Sequence, residues 1–257
     1  MRVVITGAAS GIGSSVAELL MADVGAHQLL LADRDADGLA SVASKIGAAA
    51  ATCVVDLSVQ DSGDAIVSSA IAHMGGIDAV VSNAGIIAAG ALVDLVPEDF
   101  DRIYAVNTKA AWALAKAAHR HLAESKGSFV ATASMSATQP TPGLGFYSSS
   151  KAALLMLVRQ LALEWGKDGI RCNTVSPGPT YTPMTKAGYD DADRRAQREA
   201  NIPLGKLGTA EDVASAILFL IGPAAGHITG IDIVVDGGMS NNLMPATGGG
   251  TGQKASK

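Results

Sequence analysis

Aromatic side chains are scarce in this chain: four Tyr, four Phe and two Trp make up 4% of its 257 residues. A core with so few large rings has to be closed by Val, Leu, Ile and Ala packed tightly, which suits helices laid on a sheet. Charge is also sparse at 17%, against 48% hydrophobic residues, which excludes a disordered polymer and allows a large core. The 19 basic residues are outnumbered by 24 acidic ones and are spread along the chain, leaving a net charge of −5 and no basic field for a nucleic-acid partner. Long apolar runs are missing too. The stretches 152–158 and 216–221 fall far short of the ~18 residues that cross a bilayer, so no membrane partner is expected. The only cysteines, Cys53 and Cys172, lie far apart inside apolar runs, without CxxC spacing, and read as packing residues. His27, His73, His119, His121 and His227 share no ligand spacing, and no metal is expected.

What the chain does contain is a regular alternation. Arg2 to Thr6, Gln28 to Asp33, Thr52 to Asp56, Ala79 to Ser82, Ser128 to Ala133, Arg171 to Ser176 and Asp232 to Asp236 read as strands, most of them apolar on both faces. Strands of that kind, separated by segments long enough for crossover helices, predict a parallel sheet of seven strands covered by about six helices. No linker divides the chain, so residues 1–239 are expected to form one α/β domain. One interval breaks the rhythm: after the sixth strand a Pro-containing, charged insertion, about 179–206, reads as a loop over the substrate. Residues 240–257 form a polar, Gly-rich stretch expected to be flexible. Because Met1 to Thr6 already reads as a strand, no signal peptide is seen and a cytoplasmic protein is expected.

Immediately after the first strand comes Thr6-Gly7-Ala8-Ala9-Ser10-Gly11-Ile12-Gly13, opening a helix. A turn without side chains lets a diphosphate approach the backbone, and the helix start offers unpaired N–H groups and partial positive charge. The spacing is Gly-x-x-x-Gly-x-Gly rather than Gly-x-Gly-x-x-Gly. Asp33 ends the second strand 20 residues beyond Gly13, where a carboxylate would accept hydrogen bonds from ribose hydroxyls and repel a 2′-phosphate. This favours NAD over NADP, although Arg34 beside it could pair with a phosphate. Asp56-Leu57 and Asn83-Ala84-Gly85 end the next two strands, on the edge where ligands bind in open sheets.

Tyr147 and Lys151 are four residues apart, one helical turn, and share a face. A nearby ammonium favours the phenolate, so Lys151 is expected to lower the Tyr147 pKa and make it a general acid/base. Ser134, near a strand end, reads by itself as a cap, with adjacent Ser136 a competing candidate for chemistry.

Together these residues resemble the short-chain dehydrogenase/reductase family over nearly the whole chain except its tail. The resemblance implies a Rossmann-type doubly wound sheet of order 3-2-1-4-5-6-7 and a catalytic set of Asn107, Ser134, Tyr147 and Lys151. Ser134 would hydrogen-bond the reacting oxygen, and Asn107 would hold a water linking Lys151 to solvent. Gly7, Ser10, Gly11, Ile12, Gly13, Asp33, Asp56, Leu57, Asn83, Ala84 and Gly85 would line the cofactor, with Tyr147 and Lys151 at its ribose. Pro177, Gly178, Thr180 and Thr182 resemble the family's nicotinamide-side loop, and Val235-Asp236-Gly237-Gly238 its carboxyl-terminal signature. Met135, Leu144, Tyr181 and Met184 are candidates for substrate contact, and a homotetramer is implied. The expected reaction is hydride transfer between NAD and a small secondary alcohol or ketone. An NADP-dependent carbonyl reductase and a non-catalytic dinucleotide sensor are the alternatives.

Overall fold

Four consecutive residues of the first strand, Val3 to Thr6, are buried, which places that strand at the centre of a sheet covered on both faces. The computed structural model describes residues 1–23 and 25–242. The sheet strands are β1 (Arg2–Thr6), β2 (Gln28–Asp33), β3 (Ala50–Val54), β4 (Ala79–Ser82), β5 (Ser128–Thr132), β6 (Arg171–Pro177) and, last in the chain, β9 (Asp232–Val235). They pair in parallel in the order β3-β2-β1-β4-β5-β6-β9, the expected order with β9 as the seventh strand. Thr6 stands between Ala32 and Ser82 in register, so the chain reverses its direction of travel across the sheet at the carboxyl ends of β1 and β4. Such a reversal leaves a crevice there.

Helices close both faces. α1 (Gly11–Ala22), α2 (Ala36–Ile46) and α9 (Ala210–Ile221) pack Val16, Leu20, Leu39, Ile217 and Leu220 on one side. On the other, α3 (Ser62–Met74), α5 (Ala110–Ser125) and α6 (Tyr147–Trp165) pack Ile66, Leu114, Leu122, Leu154 and Val158 around Phe129. Phe129 is the one aromatic among the largest fully buried side chains, in keeping with a core closed by aliphatic residues. Cys172 is buried in this cluster, its thiol pushed up to about 12 by desolvation, and Cys53 packs at the cluster's edge; both are free.

Three features depart from the expected outline. The third strand runs two residues earlier than expected, because the Asp56 carboxylate accepts from both the backbone N–H and the hydroxyl of Ser58, at 2.8 Å each, and so turns the chain away. Between β4 and α5 lies α4 (Pro97–Tyr104), followed by a π-helical turn at Ala105–Lys109 that carries Asn107. Finally, the insertion has structure of its own. Its ends form a two-stranded parallel ladder, β7 (Thr180–Tyr181) with β8 (Gly208–Thr209), and between them run α7 (Lys186–Tyr189) and α8 (Ala192–Glu199). Of the stretch expected to be flexible, Ser240 is anchored through its N–H to Asp236 at 2.6 Å, and residues 243–257 lie outside those described. Among the described residues no helix is long and apolar enough to cross a membrane.

Candidate active site

The crevice begins at the Gly-rich turn. Gly7 has φ +65°, and a Cβ there would lie 2.9 Å from the Cα of Ala84; a Cβ on Gly13 would run into the carbonyl oxygen of Gly7. Glycine at these positions lets the turn sit directly against the end of β4. Asn83 stitches the two together. Its amide donates to the Thr6 and Gly7 carbonyls at 3.3 Å each, and its carbonyl accepts from the Thr132 hydroxyl at 3.0 Å. Ser10 caps α1 with extended backbone and no side-chain cap bond, and the first turn of that helix carries no acidic residue. Its hydroxyl and the helix amino end are therefore open to an anion.

At the end of β2, the Asp33 carboxylate accepts from the backbone N–H groups of Ala9 at 3.2 Å and Asp35 at 3.1 Å. These two bonds fix it beside the Gly-rich turn. Arg34 is exposed on the same rim. Asp56 is held below the usual carboxylate range, chiefly by the hydrogen bonds from Ser58.

Under the other end of the crevice lies a buried polar floor. Lys151 is 3% exposed and donates to the Thr132 carbonyl at 2.7 Å; desolvation lowers its pKa to about 8. Burial pushes the Tyr147 phenol up, opposed by a hydrogen bond with Ser134. The expected lowering by Lys151 is not what governs Tyr147 in this structure. The ammonium is turned to Thr132 and stands 5.8 Å from the Tyr147 ring centroid, so burial outweighs it and Ser134 supplies the opposing effect.

Ser134 combines both roles weighed from sequence. Its oxygen accepts from the Ser136 N–H at 3.1 Å, a cap, which leaves its own proton to donate toward Tyr147. Ser136 pairs instead with the Thr141 hydroxyl at 2.8 Å and does not line the crevice.

Asn107 is 1% exposed and sits behind the floor. Its carbonyl accepts from the Ile86 N–H at 2.8 Å, and its amide donates to the Ile86 carbonyl and the Ser150 hydroxyl, at 3.0 Å each. Ser150, wholly buried, donates in turn to the Tyr147 carbonyl at 2.7 Å. Through these bonds the Asn107 side chain ties the π turn to the loop at Ile86 and to the Tyr147 helix. Both amide hydrogens are spent on Ile86 and Ser150, so a water held by the Asn107 side chain would have to donate to the remaining lone pair of its carbonyl oxygen.

The crevice is lined by Gly7, Ser10, Gly11, Ile12, Asp33, Asp56, Leu57 and Asn83 to Gly85 at one end, and by Ser134, Tyr147 and Lys151 at the other. Pro177, Gly178, Thr180, Thr182 and Met184 form its roof. Gly13 lies beneath the turn, not on the wall. Met135 and Leu144 are not brought to this crevice, and Tyr181 is turned away, its hydroxyl donating to Asp190 at 2.8 Å. Sequence reading missed Ile86, Ile87, Pro183 and Thr185, all on the wall. The Ile pair directly follows Asn83-Ala84-Gly85, and an apolar pair leaving a strand end is a signal that could have been used. Among the described residues no three His, Cys, Asp or Glu side chains could together hold a metal.

A family model described as enoyl-(acyl carrier protein) reductase matches residues 7–240. The 4-formylbenzenesulfonate dehydrogenase of Comamonas testosteroni is 39% identical over 91% of this chain and 96% of its own. The L-rhamnose 1-dehydrogenase (NAD(P)(+)) of Azotobacter vinelandii is 33% identical over 94% and 97%. Among solved structures, the 3-ketoacyl-(acyl-carrier-protein) reductase of Brucella melitensis, complexed with NADH, superposes with a TM-score of 0.85 at 32% identity, covering 93% of this chain and 97% of that one.

Proposed function

The chain belongs to the short-chain dehydrogenase/reductase family, and from that premise we propose that it is an NAD-dependent oxidoreductase interconverting a secondary alcohol and its ketone. The residues present fit a pyridine nucleotide. The turn at Gly7 and Gly13 has no side chain to obstruct a diphosphate, the Ser10 hydroxyl has no cap bond, and Asp33 is fixed where ribose hydroxyls would donate. Such a cofactor, when bound, supplies the hydride acceptor or donor.

The observation that carries the reading is that Tyr147, Ser134 and Lys151 line the same crevice as Asp33 and the glycine turn, with Ser134 opposing the rise that burial imposes on the Tyr147 phenol. Tyr147 exchanges a proton with the alcohol oxygen, and Ser134 holds that oxygen in place by hydrogen bonding. Lys151, in its charged form, favours the phenolate state. Asn107 and Ser150 keep the helix of Tyr147 fixed against the loop at Ile86.

The preference for NAD rests on the Asp33 carboxylate, which opposes a 2′-phosphate, whereas Arg34 is exposed on the rim. Calorimetric titration of the protein with each coenzyme tests it: NAD should bind at least about tenfold more tightly, and Asp33→Ala should narrow the gap. Tighter binding of NADP would refute the preference. For the substrate we favour an uncharged molecule. Ile86, Ile87 and Met184 stand on the wall, and the charged lining residues are only Asp33, Arg34, Asp56 and the buried Lys151. A homotetramer in the cytoplasm completes the proposal. Met156 and Leu163, two turns apart on α6, are 60% and 87% exposed, apolar surface that a second subunit would cover; light scattering measures the assembly directly.

A further inference from the structure

Tyr147 is the first residue of α6, and at a helix start the first N–H groups have no partner within the helix. Phe146 before it supplies no side-chain cap. Ser134 stands on a different element, where it caps the short helical turn Met135–Ala137. The segment 138–146 that joins the two is weakly held. Thr138 to Pro140, Pro142 and Gly143 are exposed, and its far end is tied only to Gly90, whose N–H donates to the Gly143 carbonyl at 2.9 Å and whose carbonyl accepts from the Gly145 N–H at 3.1 Å. Ser150 and Lys151 hold α6 from beneath through Asn107 and Thr132, and neither bond reaches the turn that Ser134 caps.

Thr141 grips both sides, with a different group on each. Its hydroxyl lies 2.8 Å from that of the buried Ser136, and the Ser136 N–H is the one that donates to Ser134 Oγ at 3.1 Å. Its backbone N–H donates to the Ser148 hydroxyl oxygen at 3.1 Å, in the first turn of α6 and next to Tyr147. The bonds therefore run in series from Ser134 through Ser136 and Thr141 to Ser148, and cutting any one of them uncouples the two ends. Groups that act together on one reacting atom lose rate steeply when their spacing drifts. We propose that Thr141 is a positioning residue, with Ser148 as its anchor on the helix, that sets the separation of Ser134 from Tyr147. This rests on the dehydrogenase reading above for the roles of that pair and adds what keeps the pair in place. A valine at position 141 keeps the N–H and loses the hydroxyl, whereas serine keeps both.

Steady-state kinetics on a panel of secondary alcohols with NAD, beside calorimetric titration with NAD and amide hydrogen exchange across residues 136–148, tests this. Thr141→Val should lower kcat by about tenfold while NAD affinity stays within about twofold, and Thr141→Ser should restore kcat. Ser148→Ala cuts the same chain at its other end and should lose about as much. The double variant Thr141→Val, Ser148→Ala should lose no more than either single one, because links in series are not additive. Hydrogen exchange across the segment should quicken in both single variants. The proposal is overturned if Thr141→Val keeps the native kcat, if Thr141→Ser fails to restore it, or if the two single losses add in the double variant. A fall in NAD affinity as large as the fall in kcat would also overturn it, since Thr141 would then support the whole site. If the native protein oxidises no alcohol of the panel, the dehydrogenase reading is refuted instead, and hydrogen exchange then decides the brace: unchanged exchange in both variants overturns it.

Discussion

The floor of the crevice and its roof are built on opposite plans. Asn107, Ser150 and Lys151 are nearly or wholly buried and bound to one another or to Ile86 and Thr132, so three chain segments hold the Tyr147 helix at once. The insertion above them has no buried residue in α7 or α8, and its ion pairs, Arg194 with Asp191 and Arg195 with Glu199, are local and exposed. Exposed pairs of this kind contribute little. Proton transfer needs fixed distances, while a roof over a substrate has to move; the floor carries the buried bonds and the roof the cheap ones. The roof is fixed at its ends, by the β7–β8 ladder and the Thr180 to Thr185 turn on one side and by the buried Ile202 and the Leu204 N–H on the Gly237 carbonyl on the other.

Substitutions in the two regions should therefore differ in kind and size. The largest effect falls on the floor: Ser134→Ala should lower kcat by about 10²- to 10³-fold without loss of dinucleotide affinity, as measured by steady-state kinetics beside titration. A fall in affinity of the same size would make Ser134 a structural cap alone.

Next comes Lys151, where the sign of the pH dependence follows from its lowered pKa. Unfolded, the lysine keeps its proton to 10.5; folded, only to about 8. Between those values the unfolded chain binds the extra proton, so stability from this group rises as pH climbs from about 8 to 10.5, and the full penalty applies below. Lys151→Met should stabilise the protein at neutral pH by about 2–3 kcal/mol, allowing for the lost bond to Thr132, while abolishing activity. Denaturant unfolding of both proteins across that pH range reads the difference, which should fade toward pH 10.5.

The Tyr-Lys pair was legible because helical pitch alone puts residues four apart on one face, and the glycine turn was legible because its strand-to-helix context is local. Asn107 was legible as a residue but not in its local structure or its partners. Nothing in Val106-Asn107-Thr108 announces a π turn, and its partners Ile86 and Ser150 lie 21 and 43 residues away. The end of the third strand was misplaced because β-propensity does not register a side chain, Asp56, that captures the backbone two residues on. The Tyr147 pKa was read from one charge, whereas its shift comes from burial that only the packed fold creates. Tyr181 and Thr185 show the limit most plainly: one sits beside the cleft in sequence yet faces Asp190, and the other looks like an ordinary loop hydroxyl yet accepts and donates at four distances of 3.2 Å or less.

Smaller effects sharpen the contrast. Ser150→Ala removes a buried acceptor from the Asn107 amide and should cost about 1–2 kcal/mol in denaturant unfolding. Tyr181→Phe, which deletes an exposed roof bond to Asp190, should change stability by no more than about 0.5 kcal/mol, a shift in Tm of under about 2 °C by calorimetry. Equal costs at the two positions would remove the distinction between floor and roof.

The central claim is that Tyr147 moves the proton. Turnover of Tyr147→Phe on a panel of secondary alcohols, followed by NADH absorbance with coenzyme affinity measured in parallel, tests it most directly. A loss of about 10³-fold or more in kcat with coenzyme affinity intact is the predicted result. Near-native turnover by the phenylalanine variant would contradict it.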